Sequence, residues 1–155
     1  MHRNAVGHSR KQIVQQVIDK EPSVKQYAEY IPIGWAVEKL RQWKEQGATL
    51  IYITSRKGDA IGLVRQVLQR YGFPDGKLES RSEGEEYKDV AERVMPDVLI
   101  EDDCESIGGE SEMVYPNMRS ELKPKIKSVV VKEFEGIDHL ANDPHILNST
   151  ALEKR

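Results

Sequence analysis

Residues 49–59 read Thr49-Leu50-Ile51-Tyr52-Ile53-Thr54-Ser55-Arg56-Lys57-Gly58-Asp59, an apolar run that breaks abruptly into hydroxyls, cations and a glycine. The run is rich in β-branched and aromatic residues and predicts a strand; the break predicts a turn into a helix. Two further runs share this character, Asp97-Val98-Leu99-Ile100 and Ser128-Val129-Val130-Val131. None of the three alternates apolar with polar residues. Continuous hydrophobicity predicts strands covered on both faces, as in a parallel sheet packed between helices.

Helical patterns fall around these runs. Residues 9–19 place Ile13, Val14, Val17 and Ile18 on one face, with Ser9 as N-cap and Glu21-Pro22 as the stop. Between Ile33 and Gln46, residues Val37, Leu40 and Trp43 keep helical spacing, and Gly47 ends the pattern just ahead of the first strand. Residues 59–71 carry Ile61, Val64, Val67, Leu68 and Tyr71, closed by Gly72 and the Phe73-Pro74-Asp75-Gly76 turn. Lys77–Arg81 fits a short edge strand, and Glu85–Val94 a helix that turns Val90 and Val94 inward before Pro96. Alternation of this kind predicts an α/β fold with a doubly wound, Rossmann-like and mostly parallel sheet, whose ligands sit at the carboxyl ends of the strands. One domain is expected over residues 1–140. Beyond Val131 the periodicity is lost, and residues 141–155 are expected to form a partly ordered tail.

The bulk properties narrow the function. The 155 residues suit one core rather than two. A net charge of -3 with both signs interspersed gives no basic stripe, so nucleic acid is not the expected partner. No apolar run approaches the roughly 20 residues of a membrane helix, and no membrane partner is expected. Cys104 is the one cysteine, which suits a reducing, cytoplasmic setting. His2, His8, His139 and His145 share no zinc-like spacing with it.

Candidate chemistry lies where the runs end. Thr54, Ser55 and Arg56 put two hydroxyls and a cation at the turn into a helix, a setting that suits phosphate. Ile100-Glu101-Asp102-Asp103 ends a buried run in three consecutive carboxylates, which repel one another and suit a hard cation such as Mg2+. Lys88, between these two segments, is placed to reach over the strand ends and neutralise phosphate and carboxylate together. Taken singly, each has a plainer reading: a helix cap, an acidic loop, a surface lysine.

Hydroxyl, lysine and acidic strand end, in that order, resemble the later motifs of the haloacid-dehalogenase-like phosphohydrolases. The resemblance covers residues 48–109. It implies that Thr54 and Lys88 act in the reaction, that Thr54, Ser55, Arg56 and Lys88 bind phosphate, and that Asp102, supported by Glu101, holds magnesium. Ser106-Ile107-Gly108-Gly109 is similar to the loop that follows the family's acidic motif. A receiver domain combines the same residue types, but in another order: there the acidic pair comes first, and here the acidic cluster comes last.

The family's first motif, a strand ending in Asp-x-Asp-x-Thr whose first aspartate attacks phosphorus, has no counterpart in this chain. By the resemblance, that strand lies at the sheet's centre, between the strand ending at Thr54 and the strand ending near Glu101. Its loss removes buried side chains worth about 1.5–3 kcal/mol each, against a total stability of about 5–15 kcal/mol. The expected explanation is a truncated chain that starts just downstream of the motif. The competing one is a rearranged sheet in which the two flanking strands pair directly. Two functions follow: a phosphatase fragment, inactive as it stands, or a non-catalytic phosphate- or partner-binding module. The expected partner is a phosphorylated substrate. No large cap domain fits between Thr54 and Lys88, so the site is open or takes its lid from a second subunit of a homo-oligomer.

Overall fold

The structure is a computed structural model that describes residues 1–149. Helix α1, Arg10–Ile18, starts where Ser9 and Gln12 form a reciprocal cap: Gln12 N donates to Ser9 Oγ at 3.3 Å, and Ser9 N donates to Gln12 Oε1 at 2.8 Å. Helix α2, Ala36–Glu45, ends at Gln46 and Gly47, the latter with a φ of +100° that a side chain rarely allows. Strand β1, Ile51–Ile53, leads through helix α3, Asp59–Arg70, to strand β2, Lys77–Glu79. Helix α4, Tyr87–Val94, then leads to strand β3, Val98–Asp102. Three 3-10 turns separate β3 from strand β4, Lys127–Val131, and a short helix α5, Pro144–Leu147, follows. Among the described residues no helix is long and apolar enough to cross a membrane.

The class is α/β, and every strand pair is parallel, but there is no single doubly wound sheet among the described residues. Two separate two-stranded sheets form instead, β1 with β2 and β3 with β4. Nor do the flanking strands β1 and β3 pair with each other, so the rearranged sheet is not seen either. The physical reason lies in the edges. Thr54 N donates to Glu79 O, while Lys127 N donates to Asp97 O and Asp103 N to Val131 O. Backbone groups alternate sides along a strand, so the N–H and C=O of Ile51 and Ile53 point away from β2, and those of Val98, Ile100 and Asp102 point away from β4. Outside the ladders, the one hydrogen bond these outward groups make among the described residues is from Tyr87 Oη to Ile53 O at 3.4 Å.

Packing follows the same division. The main core joins Ala91, Leu99, Val114, Met118 and Ile126, around β3, α4 and the 3-10 turns. In α3, by contrast, no residue is fully buried, although Ile61, Val64, Val67 and Leu68 keep the predicted apolar spacing. The expectation that both faces of every strand are covered also fails in part: Ile51 is 38% exposed and Val130 51%. Tight approach does occur at the start of β2, where a Cβ on Gly76 would lie 2.6 Å from Leu50 O.

The expected tail divides. Residues 138–142 run along α2: Asp138 accepts from Trp35 N, Lys39 Nζ donates to Leu140 O at 2.7 Å, and Trp43 Nε1 donates to Ala141 O at 2.9 Å. Sequence periodicity misses this contact because carbonyls of an irregular segment, not apolar side chains, make it. Residues 150–155 of the expected tail lie outside the described residues.

The uneven core makes a direct prediction. Val90→Ala, at a fully buried site, should lower unfolding stability by about 2 kcal/mol in urea titration. Val67→Ala, on the half-covered face of α3, should cost less than about 1 kcal/mol. Equal losses would contradict the division described.

Candidate functional site

The carboxyl ends of β1 and β3 open on one cleft of about 1060 Å³. Ser55 and Arg56 line it from the end of β1, Lys88 from the first turn of α4, and Glu101 and Asp102 from the end of β3. Five of the six residues singled out in the sequence therefore meet. Thr54 does not line the cleft; its Oγ1 accepts from Arg56 N at 3.1 Å and shapes the turn that presents Ser55 and Arg56.

The cations are held by neighbours. Arg56 lies over the Tyr27 ring, with Cζ 3.7 Å from the centroid, and 5.8 Å from that of Tyr30. Arg81 donates from Nη2 to Ser55 O at 2.9 Å, and its buried Nε has no partner among the described residues. Lys88 Nζ contacts Asp89 Oδ1 at 2.9 Å and Glu92 Oε1 at 3.5 Å. The hydrogen bond that Lys88 donates to Asp89 and the charge of Glu92 raise the pKa of Lys88, so it stays protonated. An incoming anion must compete with those two carboxylates.

The acidic run is stabilised by donors from the protein itself. Glu101 accepts from Val114 N at 2.7 Å and from Tyr115 N at 2.8 Å, which fixes the 3-10 turn Tyr115–Asn117 to the end of β3. Burial raises its pKa above the usual carboxylate range, and those two N–H groups oppose the rise. Asp103 accepts from Glu105 N and Glu133 N, each at 3.2 Å, and Arg10 ion-pairs with Asp103 and Glu105. Asp102 Oδ1 accepts from Cys104 N at 2.8 Å.

Metal fits these residues only in part. Among the described residues no three His, Cys, Asp or Glu side chains gather as a ligand set. Both oxygens of Glu101 are engaged by backbone, which leaves Asp102 as the one carboxylate of the expected pair suited to the role.

Several residues at the cleft carried no signal in the sequence. His2 is 1% exposed, lines the cleft and pairs through Nε2 with Gln16 Oε1 at 2.8 Å. Glu133, also lining it, accepts from Ser106 N and Ser106 Oγ. Arg81, which also lines the cleft, is the last residue of the predicted edge strand Lys77–Arg81. Of the two tryptophans, Trp43 is buried, whereas Trp35 is 72% exposed and lies outside the cleft.

Cys104 also lines the cleft, with a positive φ of 52°. Burial first, then the charge of Asp102, pushes its thiol up to about 12. At pH 8 the native thiol should react with iodoacetamide on the order of 100-fold more slowly than in the urea-unfolded chain. A native rate matching the unfolded one would contradict the burial and acidic surroundings that the structure gives it.

No family model, curated protein or solved structure matches this chain.

Proposed function

We propose that the chain is the phosphate-holding portion of a magnesium-dependent phosphohydrolase of the haloacid-dehalogenase-like kind. In this reading the two small sheets are the flanks of one doubly wound, Rossmann-like sheet whose central strand lies outside the chain. The observation that carries it is the convergence of Ser55, Arg56, Lys88, Glu101 and Asp102 on one cleft, although they leave three separate strand-to-helix junctions. Mixed cationic and acidic walls are what a phosphate and its counter-ion require together.

The geometry supports the following roles. Arg56, steadied against Tyr27, and Lys88 supply positive charge for phosphoryl oxygens, and Ser55 supplies a hydroxyl donor. Thr54 acts through the turn it caps. Asp102 suits one position in a magnesium shell completed by water and phosphate oxygens, and such an ion, when bound, screens phosphoryl charge. The resemblance assigns the attacking aspartate to the absent strand, so the aspartyl-phosphate step and its hydrolysis belong to a longer form. The chain alone binds phosphate without turning it over. Its setting in this reading is cytoplasmic, and its substrate is a phosphorylated molecule that reaches an open cleft.

One observation favours a second reading, a non-catalytic phosphate- or partner-binding module. Lys88 is already paired with Asp89 and Glu92, and Glu101 is committed to backbone.

Calorimetric titration with inorganic phosphate, with and without magnesium chloride, separates the two. The expected outcome is binding strengthened by magnesium and weakened at least about tenfold, or ~1.4 kcal/mol, in both Lys88→Ala and Asp102→Asn. The chain should release no phosphate from p-nitrophenyl phosphate. Affinity indifferent to magnesium and to both substitutions would remove the phosphohydrolase reading and leave the module.

A further inference from the structure

The Nε of Arg81 is the one buried side-chain nitrogen or oxygen that lacks a hydrogen-bond partner among the described residues. Buried donors are almost always paired, so an orphan calls for an acceptor that the chain itself does not supply. The charge of this guanidinium is uncompensated as well. Arg3, Arg10, Arg93 and Arg119 each ion-pair with a carboxylate. Arg56 and Arg81, the two arginines that line the cleft, make no such pair among the described residues.

Both are braced on one turn. In the parallel pairing of β1 with β2, Ile53 faces Glu79, so Ser55 and Arg81 stand level just beyond the two strand ends. Arg81 Nη2 donates to Ser55 O at 2.9 Å, and Arg56 is the next residue along the chain. Arg56 is held in turn by the Tyr27 ring, 3.7 Å from Cζ to centroid, and by Tyr30, whose hydroxyl is fixed on Val24 O at 2.6 Å. An arginine already steadied by its neighbours loses little freedom on binding, and its planar fork matches the oxygens of a phosphate.

We propose that Arg81 is a further anion-binding residue of the cleft, forming with Arg56 and Ser55 a two-guanidinium site for a phosphate group, whose oxygen supplies the acceptor that Nε lacks. Two uncompensated cations suit a dianion better than a carboxylate, and a tetrahedral group has oxygens enough for both guanidiniums and the Ser55 hydroxyl. No metal is needed here: the site stands at the ends of β1 and β2, whereas Asp102 ends β3. It rests on the functional reading only in taking phosphate as the ligand, and not on magnesium, on Lys88 or on an attacking aspartate.

The test follows the Nε–Hε signal of Arg81 by NMR in the full chain without magnesium, assigned through the backbone. Inorganic phosphate should shift it saturably, along the same binding curve that calorimetry gives, while acetate leaves it in place. Arg81→Lys keeps the charge and a donor for Ser55 O but loses the fork, and should weaken phosphate binding about tenfold or more. The proposal is overturned by a signal unmoved at saturating phosphate, by one that moves equally with acetate, by unchanged affinity in Arg81→Lys, or by an absence of phosphate binding. Affinity that falls in Arg81→Lys but not in Lys88→Ala or Asp102→Asn keeps this site and removes the phosphohydrolase reading. The reverse pattern keeps that reading and removes this site.

Discussion

A backbone N–H or C=O shielded from water must find a partner, and among the described residues β1 and β3 each have a strand partner along one edge only. The consequence spreads outward from those edges. With nothing bridging them, the strands settle as two pairs, the apolar face of α3 stays half covered, and the core condenses around α4, β3 and the 3-10 turns. Tyr87 partly compensates, with its hydroxyl on Ile53 O and its ring against the core. Its own pKa is raised to about 12, chiefly by burial, which places that hydroxyl firmly on the donor side of the contact.

Local patterns were legible in the sequence because they depend on neighbours along the chain. The Ser9 cap, the Gly47 stop, the Lys77 strand and the three apolar strand runs all need only a few adjacent residues to be read. Sheet order is different, since it depends on which strands exist to compete for each edge. Apolar content in Leu50–Ile53 says that β1 is suited to burial; it cannot say whether the covering element is supplied by these 155 residues. The clamp of 138–142 on α2 was invisible for another reason. Besides the Asp138 carboxylate on Trp35 N, the backbone carbonyls of Leu140 and Ala141 make that contact, and every residue type has a carbonyl.

The candidate site shows the same limit at the level of single side chains. Ser55, Arg56, Lys88, Glu101 and Asp102 line one cleft, as residues at or after the carboxyl ends of parallel strands can, since those ends face one side of an α/β fold. Role is harder. Three consecutive carboxylates suggest a cation to satisfy them, yet Glu101 finds two backbone N–H donors and Asp103 finds Arg10 as well as two more. Those donors come from residues 10, 105, 114, 115 and 133, and no local motif announces them. Thr54 likewise spends its oxygen on the Arg56 amide, and so serves geometry rather than the cleft surface.

Fold and site are coupled through the two strands. Ser55 and Arg56 are carried by β1, whereas Glu101 and Asp102 are carried by β3, so the spacing between the cationic and acidic walls depends on whatever joins those two strands. Among the described residues the direct polar link from the core side to the outward edge of β1 is one hydrogen bond of 3.4 Å, at the long end of the useful range. Phosphate recognition gains strength from donors fixed in advance, and donors on separately anchored strands lose that advantage. Arg56 is steadied by Tyr27 and Lys88 by Asp89, but each tether lies within its own half of the cleft. Whatever fixes the separation of β1 and β3 therefore governs the chemistry at their ends, even where it contributes no side chain to the cleft.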